Sequence, residues 1–278
     1  MTYRDILQVA TEKLTEAGID NPAGEAWYFF EDAFAMSRLD YMMDQLMENT
    51  KEEATEKFHN YIEKRITTRM PMQYILGTQD FMGLTFQVNP SVLIPRMDTE
   101  VLVEEIINTV PDAKTILDMC TGSGCIAISL AEFLHPEVCI GADLSKDALN
   151  TAISNGKTLA PMVSFIESDL FSEINGEFDL IVSNPPYIAS AECDVLMPEV
   201  KDHEPRMALD GHEDGLYFYR KIVDQAREHL TKGGWLFFEI GYDQGESVPK
   251  LMREAGYTDI TVKKDLAGLD RVVYGRYE

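Results

Sequence analysis

The chain has 278 residues, 45% hydrophobic and 26% charged, which predicts packed cores and room for two domains rather than disorder. Its formal net charge of −24 argues against broad binding to naked nucleic acid, which relies on lysine and arginine neutralising phosphates. Cys120, Cys125, Cys139 and Cys193 form no C-x-x-C pair and the five histidines are scattered, so neither a metal centre nor a disulfide framework is expected, and a reducing, cytoplasmic setting fits.

Met1–Asp5 lacks the apolar core of a signal peptide, and no apolar run is long enough to span a bilayer, so no membrane partner is expected. Residues 1–70 predict helices throughout. Thr2 caps a first helix with Ile6, Val9, Ala10 and Leu14 on one face, ended by Gly18. Asn21-Pro22 is a cap followed by proline at the first helical position, and Ala26, Phe29, Phe30, Ala33 and Phe34 form the apolar face of a second helix. A third helix runs through Leu39, Met43 and Leu46. Thr50 starts a fourth, with Ala54, Phe58, Tyr61, Ile62 and Ile66 inward. The Met and Phe stripes are expected to be core between helices, with a partner-binding face as the alternative.

At Pro71 the character changes. Phe81–Pro95 alternates and is expected to form a β-hairpin turning near Asn89-Pro90. Thr99 or Asp98 then caps a helix through Val110. From Lys114 strands and helices alternate. Strands are expected at Thr115–Met119, Val138–Ala142, Val163–Glu167, Phe178–Ser183, Trp235–Ile240, Asp259–Asp265 and Arg271–Arg276. Helices are expected at Ile126–Phe133, Lys146–Asn155, Leu216–Leu230 and Ser247–Ala255. This alternation implies a mostly parallel sheet covered by helices on both faces.

Two stretches carry chemistry. Asp118-Met-Cys120-Thr121-Gly122-Ser123-Gly124-Cys125 joins the first of these strands to its helix. The glycines permit a tight turn and a close ligand approach, and the helix offers free N–H groups. About 20 residues on, Asp143 ends the next strand, where a ribose is bound in such folds. Gly122-x-Gly124-x-x-Ala127 also fits a dinucleotide fingerprint. Asp118, however, would repel pyrophosphate, whereas the cationic methionine amine of S-adenosylmethionine welcomes an acid. Ser168-Asp169-Leu170 supplies a polar edge and an apolar face for adenine, and Asp169 alternatively caps a helix.

The second stretch is Phe178–Ser183 followed by Asn184-Pro185-Pro186-Tyr187. Neither proline donates to a sheet ladder, so the strand stops there and displays Asn184 and Tyr187 at its C-terminal end. An amide or aromatic-amine nitrogen is a poor nucleophile because its lone pair is delocalised. The Asn184 oxygen and a proline carbonyl can accept both hydrogens of an NH₂ group, aim it and spread the charge that develops on attack. Tyr187 can stack on a planar acceptor.

These motifs resemble the HemK/PrmC family of glutamine N5-methyltransferases that act on peptide-chain release factors. The resemblance extends through Pro71–Gly77, Val92–Glu100, Glu204–Leu209, Glu213–Leu216 and Lys264–Val273. It implies a class I S-adenosylmethionine-dependent methyltransferase, an α/β Rossmann-like fold with a mostly parallel seven-stranded sheet and a reversed last strand. An N-terminal helical substrate-binding domain would occupy 1–76, a β-hairpin linker 77–96 and the methyltransferase domain 97–278. By matching position, Asp118, Cys120, Thr121, Gly122, Ser123, Gly124, Asp143, Leu144, Asp169 and Leu170 would hold the cofactor. Asn184 would bridge cofactor and acceptor, and Pro185, Pro186 and Tyr187 would complete the glutamine pocket.

The implied acceptor is the glutamine of the Gly-Gly-Gln motif in class 1 release factors, with S-adenosylhomocysteine as product. The enzyme is expected to be a monomer without direct nucleic-acid contact. A ribosomal-protein glutamine and, less favoured, an adenine N6 amine are the alternative acceptors. Three positions depart from the family pattern. Cys120 stands where glycine is common and is expected to fit only with negative φ. Met97-Asp98 replaces a Pro-Glu pair, and Leu170 replaces an aromatic residue.

Overall fold

The computed structural model describes residues 1–278 and divides into two compact units, Met1–Gly77 with Pro198–His203, and Thr78–Met197 with Glu204–Glu278. In the first unit, α1 (Tyr3–Glu16) starts from a reciprocal capping box between Thr2 and Asp5, and α2 (Pro22–Phe34) from Asn21 with proline at its first position. α3 (Arg38–Asp44), α4 (Glu52–Thr68) and α5 (Met72–Leu76) follow. Phe29, Phe30, Phe34 and Phe58 are fully buried, with Phe30 stacked on Phe34 at 4.5 Å between centroids.

The methionine stripe departs from the expectation of core packing. Leu39, Met42, Met43 and Leu46 are exposed. α3 is only seven residues long and turns Tyr41 inward, edge-on to Trp27 and Phe30, so its methionines face outward. Thr50 does not start α4, whose cap position is Lys51. The Asn49 side chain accepts from the Lys51 N–H instead. Val9 is likewise exposed on α1.

The segment Pro198–His203 packs within this unit through Glu199. Buried Arg65 donates from Nη1 to Glu199 at 3.0 Å and from Nε to Glu25 at 2.6 Å, and Arg69 also pairs with Glu199.

The second unit opens with a hairpin, β1 (Thr78–Phe81) and β2 (Leu84–Gln87), whose turn is Met82-Gly83 rather than Asn89-Pro90. Both turn residues have positive φ, +50° and +75°, the two-residue geometry whose twist matches that of the strands. Asn89 lies in the exit loop and bonds Ser91 N and Thr151 Oγ1. α6 (Met97–Thr109) begins ahead of Asp98 and Thr99, so neither is its cap.

β3 (Thr115–Met119), α7 (Cys125–Leu134), β4 (Val138–Asp143), α8 (Lys146–Leu159), β5 (Ser164–Glu167) and β6 (Phe178–Ser183) follow in alternation. α9 (Tyr217–Gln225), β7 (Leu230–Glu239), α10 (Ser247–Glu254), β8 (Thr258–Lys264) and β9 (Asp270–Arg276) complete the unit. The sheet order is β5-β4-β3-β6-β7-β9-β8, and β9 runs antiparallel between β7 and β8. The seven-stranded sheet with a reversed last strand is the class I methyltransferase architecture.

Chain progression reverses between β3 and β6, and in open α/β sheets ligands bind beyond the carboxyl ends of strands at that point. Both chemical stretches emerge there. The β3–α7 loop lies close to the sheet at Gly141, where a Cβ would approach Thr121 Oγ1 to 2.8 Å, and the Phe165 ring fills the space left by Gly141 and Gly156.

Arg65→Ala leaves two carboxylates facing a buried gap and is expected to destabilise the helical unit by about 3 kcal/mol in denaturant unfolding. Arg65→Lys should recover less than half of that, because an ammonium cannot serve both carboxylates in the guanidinium's fork geometry.

Candidate active site

A cavity of about 480 Å³ opens at the carboxyl ends of β3, β4, β5 and β6. Cys120, Thr121, Gly122 and Ser123 form one wall, Asp143 and Leu144 a second, Asp169 and Leu170 a third. Asn184 and Pro186 close the β6 side. These predicted residues therefore meet in one place. Gly124, Asp118, Pro185 and Tyr187 do not line it.

Asp118 lies beneath the loop, with no exposed surface. Its Oδ2 accepts from Thr121 Oγ1 at 2.6 Å and from the Ala127 N–H at 3.1 Å, which fixes the loop to the first turn of α7. Its Oδ1 has no partner. Burial pushes its pKa up to about 7, opposed by those two donors. Asp143 accepts from the Gly122 N–H and the Ser145 N–H, both at 2.9 Å, and burial raises its pKa. Asn155, missed by sequence reasoning, is buried and clamps the loop from below. Its Nδ2 donates to the carbonyls of Ser123 and Gln87, both at 3.0 Å, and its Oδ1 accepts from the Gln87 N–H at 2.8 Å.

The Cys120 expectation is corrected: its φ is +65°, in the left-handed region. The loop geometry holds a conformation that disfavours a side chain, at about 1–3 kcal/mol. Leu170 and His212, also on the wall, have φ of +51° and +68°. Burial pushes the Cys120 thiol far above its ordinary range and that of Cys125 up to about 12, so neither is a ready nucleophile.

At the end of β6, Ser183 Oγ donates to the Met119 carbonyl at 2.6 Å, tying the two site strands together. Pro185 and Pro186 are buried, while Asn184 and Tyr187 are half-buried. Asn184 Nδ2 donates to Thr99 Oγ1 at 3.4 Å. Tyr187 does not offer a ring to the cavity. Its hydroxyl donates to Glu239 Oε1 at 3.3 Å, and its carbonyl accepts from Gln244 Nε2 at 3.1 Å. The loop 211–215 presses on the same backbone: a Cβ on Gly215 would lie 2.3 Å from the Tyr187 carbonyl oxygen.

Thr99, Glu239 and Gln244 are the other residues missed. Glu239 carried a signal, a carboxylate at the carboxyl end of an apolar strand. It is fully buried, and burial raises its pKa against the Thr99 hydroxyl and the Arg271 guanidinium.

Residues 96–200 match the family described as the methyltransferase small domain, and residues 5–77 the PrmC N-terminal domain. The release factor glutamine methyltransferase of Geobacter sulfurreducens is 43% identical over 277 residues, covering 99% of this chain and 96% of that protein. That of Clostridium botulinum is 40% identical and covers 99% of both chains. The T. thermophilus 16S rRNA N2 G1207 methyltransferase, solved with AdoMet and guanosine, shares the fold. Its TM-score is 0.53 at 17% identity, over 72% of this chain and 50% of that one.

The raised pKa of Asp118 has a defined consequence. A carboxyl titrating near 7 when folded and near 3.8 when unfolded stabilises the fold most at low pH, and loses that contribution as pH rises through 7. Relative to wild type, Asp118→Asn is therefore expected to gain unfolding free energy steadily between about pH 4 and pH 7 and then level off, read by urea denaturation at each pH.

Proposed function

The chain belongs to the release factor glutamine methyltransferase family, and from that premise we propose how its residues methylate the side-chain amide nitrogen, N5, of a release-factor glutamine. The observation that carries the reading is Asn184. It stands at the end of β6 on the cavity wall, with Nδ2 turned to Thr99 and Oδ1 bonded to no other residue.

The cofactor is S-adenosylmethionine, which when bound supplies an electrophilic methyl group. The residues present fit it. Asp118, beneath the loop, would serve the cofactor by holding Thr121 and the start of α7 in place, and Asp143, on the wall, retains lone pairs for ribose hydroxyls. Leu144, Leu170 and Phe218 give adenine an apolar wall. With leucine at position 170 that contact is plain burial rather than ring stacking. Cys120–Gly124 and Asp169 would complete the cofactor site.

The glutamine NH₂ donates one hydrogen to Asn184 Oδ1 and the other to a carbonyl of the Pro185-Pro186 turn. Prolines have no N–H, so the turn adds no competing donor. Two acceptors fix the nitrogen's direction and stabilise the positive charge it acquires on attack. No strong base is needed, because the methylated nitrogen is acidic and sheds its proton through Asn184, a backbone carbonyl or water. Tyr187 serves this site from behind, by holding the turn against Glu239, rather than by stacking on the acceptor.

The finer assignments follow the same reading. The acceptor is the Gly-Gly-Gln glutamine of class 1 release factors, the helical unit (1–76) contributes to holding that partner, 77–96 links it to the catalytic domain (97–278), and the enzyme works as a cytoplasmic monomer without contacting nucleic acid. A ribosomal-protein glutamine would fit the same acceptor pair. The names of the full-length relatives favour the release factor.

Asn184→Ala is expected to lower kcat by about 10²–10³, as loss of one preorganised charge-stabilising contact does. Label transfer from S-adenosylmethionine to purified release factor reads it. Replacing the acceptor glutamine by alanine should abolish incorporation, and label that survives the replacement would refute the substrate assignment.

A further inference from the structure

An asparagine amide is nearly symmetric in shape, and the wrong rotamer would offer NH₂ to the acceptor's NH₂. Something must hold its oxygen toward the cavity. The group in contact is Thr99 Oγ1, 3.4 Å from Asn184 Nδ2. A hydroxyl has one proton and two lone pairs, so it selects the amide's orientation only if its proton is committed elsewhere.

Glu239 supplies that commitment. It ends β7, beside β6 in the sheet, and is buried to 2% exposure. Its Oε1 takes the Tyr187 hydroxyl at 3.3 Å, whereas its Oε2 is buried with no hydrogen-bond partner. Thr99, on the first turn of α6, is itself 2% exposed, and burial raises the Glu239 pKa against the opposing effect of the Thr99 hydroxyl. Arg271 opposes the same rise from β9. Its guanidinium is held by Asp265 at 3.1 Å, Asp98 at 3.3 Å and the Ile240 carbonyl at 3.3 Å.

We propose that Glu239 and Thr99 are positioning residues: the Glu239 carboxylate takes the Thr99 proton, which leaves Thr99 only lone pairs for Asn184 and turns Asn184 Oδ1 toward the substrate amide. The inference rests on the reading of Asn184 as the amide acceptor. It adds that the orientation is imposed from a carboxylate one hydroxyl away, which never touches substrate.

The test measures kcat, KM for release factor and, by calorimetry, cofactor affinity. Thr99→Val keeps the side-chain shape and removes the hydroxyl. It should lower kcat about tenfold or more, the effect of losing one orienting hydrogen bond of roughly 1.4 kcal/mol. Cofactor affinity and the unfolding midpoint should stay near wild type. Thr99→Ser should return kcat to within about threefold. Glu239→Gln can donate to Thr99 and release the hydroxyl proton toward Asn184, so it should lower kcat comparably.

The decisive comparison uses Asn184→Asp, whose two oxygens both accept. In that background Thr99→Val should change kcat less than twofold. Wild-type kcat in Thr99→Val, or a full additional loss in the Asn184→Asp background, would overturn the proposal. Near-normal turnover by Asn184→Ala would instead sink the underlying reading, so the two failures are distinguishable.

Discussion

The central strand of the sheet ends in two residues that have no backbone N–H. After Ser183 the β6 ladder cannot continue, because Pro185 and Pro186 donate nothing to β3 or β7. The chain must leave the sheet at the point where its order reverses. There it is held through carbonyls and side chains alone: Gln244 Nε2 takes the Tyr187 carbonyl, and Ser183 Oγ reaches the Met119 carbonyl. Gly215 lies so close to this backbone that no side chain could stand in its place. The turn is thus fixed by its neighbours, and neither proline adds an N–H donor to it. A group rich in N–H is what such a wall can hold.

Opposite that wall, the cofactor loop is held by hydrogen bonds rather than by glycine alone. Asp118 joins Thr121 to the start of α7, Asp143 takes Gly122 N, and Asn155 takes the Ser123 carbonyl. This network explains why Cys120 keeps a left-handed backbone. Relaxing its φ would break contacts on both sides, each worth about as much as the strain. Leu170 and His212 show the same pattern elsewhere on the cavity rim. Backbone strain persists around the cavity because the surrounding contacts over-determine it, and preorganisation follows from the same cause.

Strands such as Thr115–Met119 and Phe178–Ser183 were legible to the residue because buried β-branched runs bounded by glycine or proline have few other solutions. The hairpin turn was not. Asn89-Pro90 is a stronger local turn signal than Met82-Gly83, yet only the latter pairs Phe81 with Leu84 across a two-residue loop. The α3 methionines misled for a related reason: helical spacing marks a face, but one inward aromatic, Tyr41, decided which face was buried. The wall residues at the ends of β3, β4, β5 and β6 were legible from their motif and strand-end position, whereas those between 91 and 96 and between 205 and 212 were not read as site residues. Thr99, Asn155 and Glu239 were not, since each acts on a partner 32 to 85 residues away in the chain. Pro185 and Tyr187 do not line the cavity, and the Tyr187 hydroxyl is claimed by Glu239 from β7.

Charge placement bears on which nitrogen the site accepts. A carboxylate on the wall would accept N–H bonds more strongly than Asn184 does, but it would also attract ammonium groups and so favour lysine over glutamine. Selecting a neutral amide calls for a neutral acceptor of fixed orientation. The arrangement around β6 and β7 meets both demands by setting the carboxylate of Glu239 one hydroxyl back. Arg271, which Asp98 and Asp265 hold in turn, favours its charge in part, against the burial that raises the Glu239 pKa. Asp118, on the cofactor side, has no cation of its own and keeps an oxygen unpaired. Neither buried carboxylate lines the cavity, and each is tied to it through a hydroxyl or a backbone N–H: Glu239 through Tyr187, Asp118 through Thr121 and Ala127. The carboxylates that the wall itself shows a ligand are those of Asp143, Asp169 and Asp210.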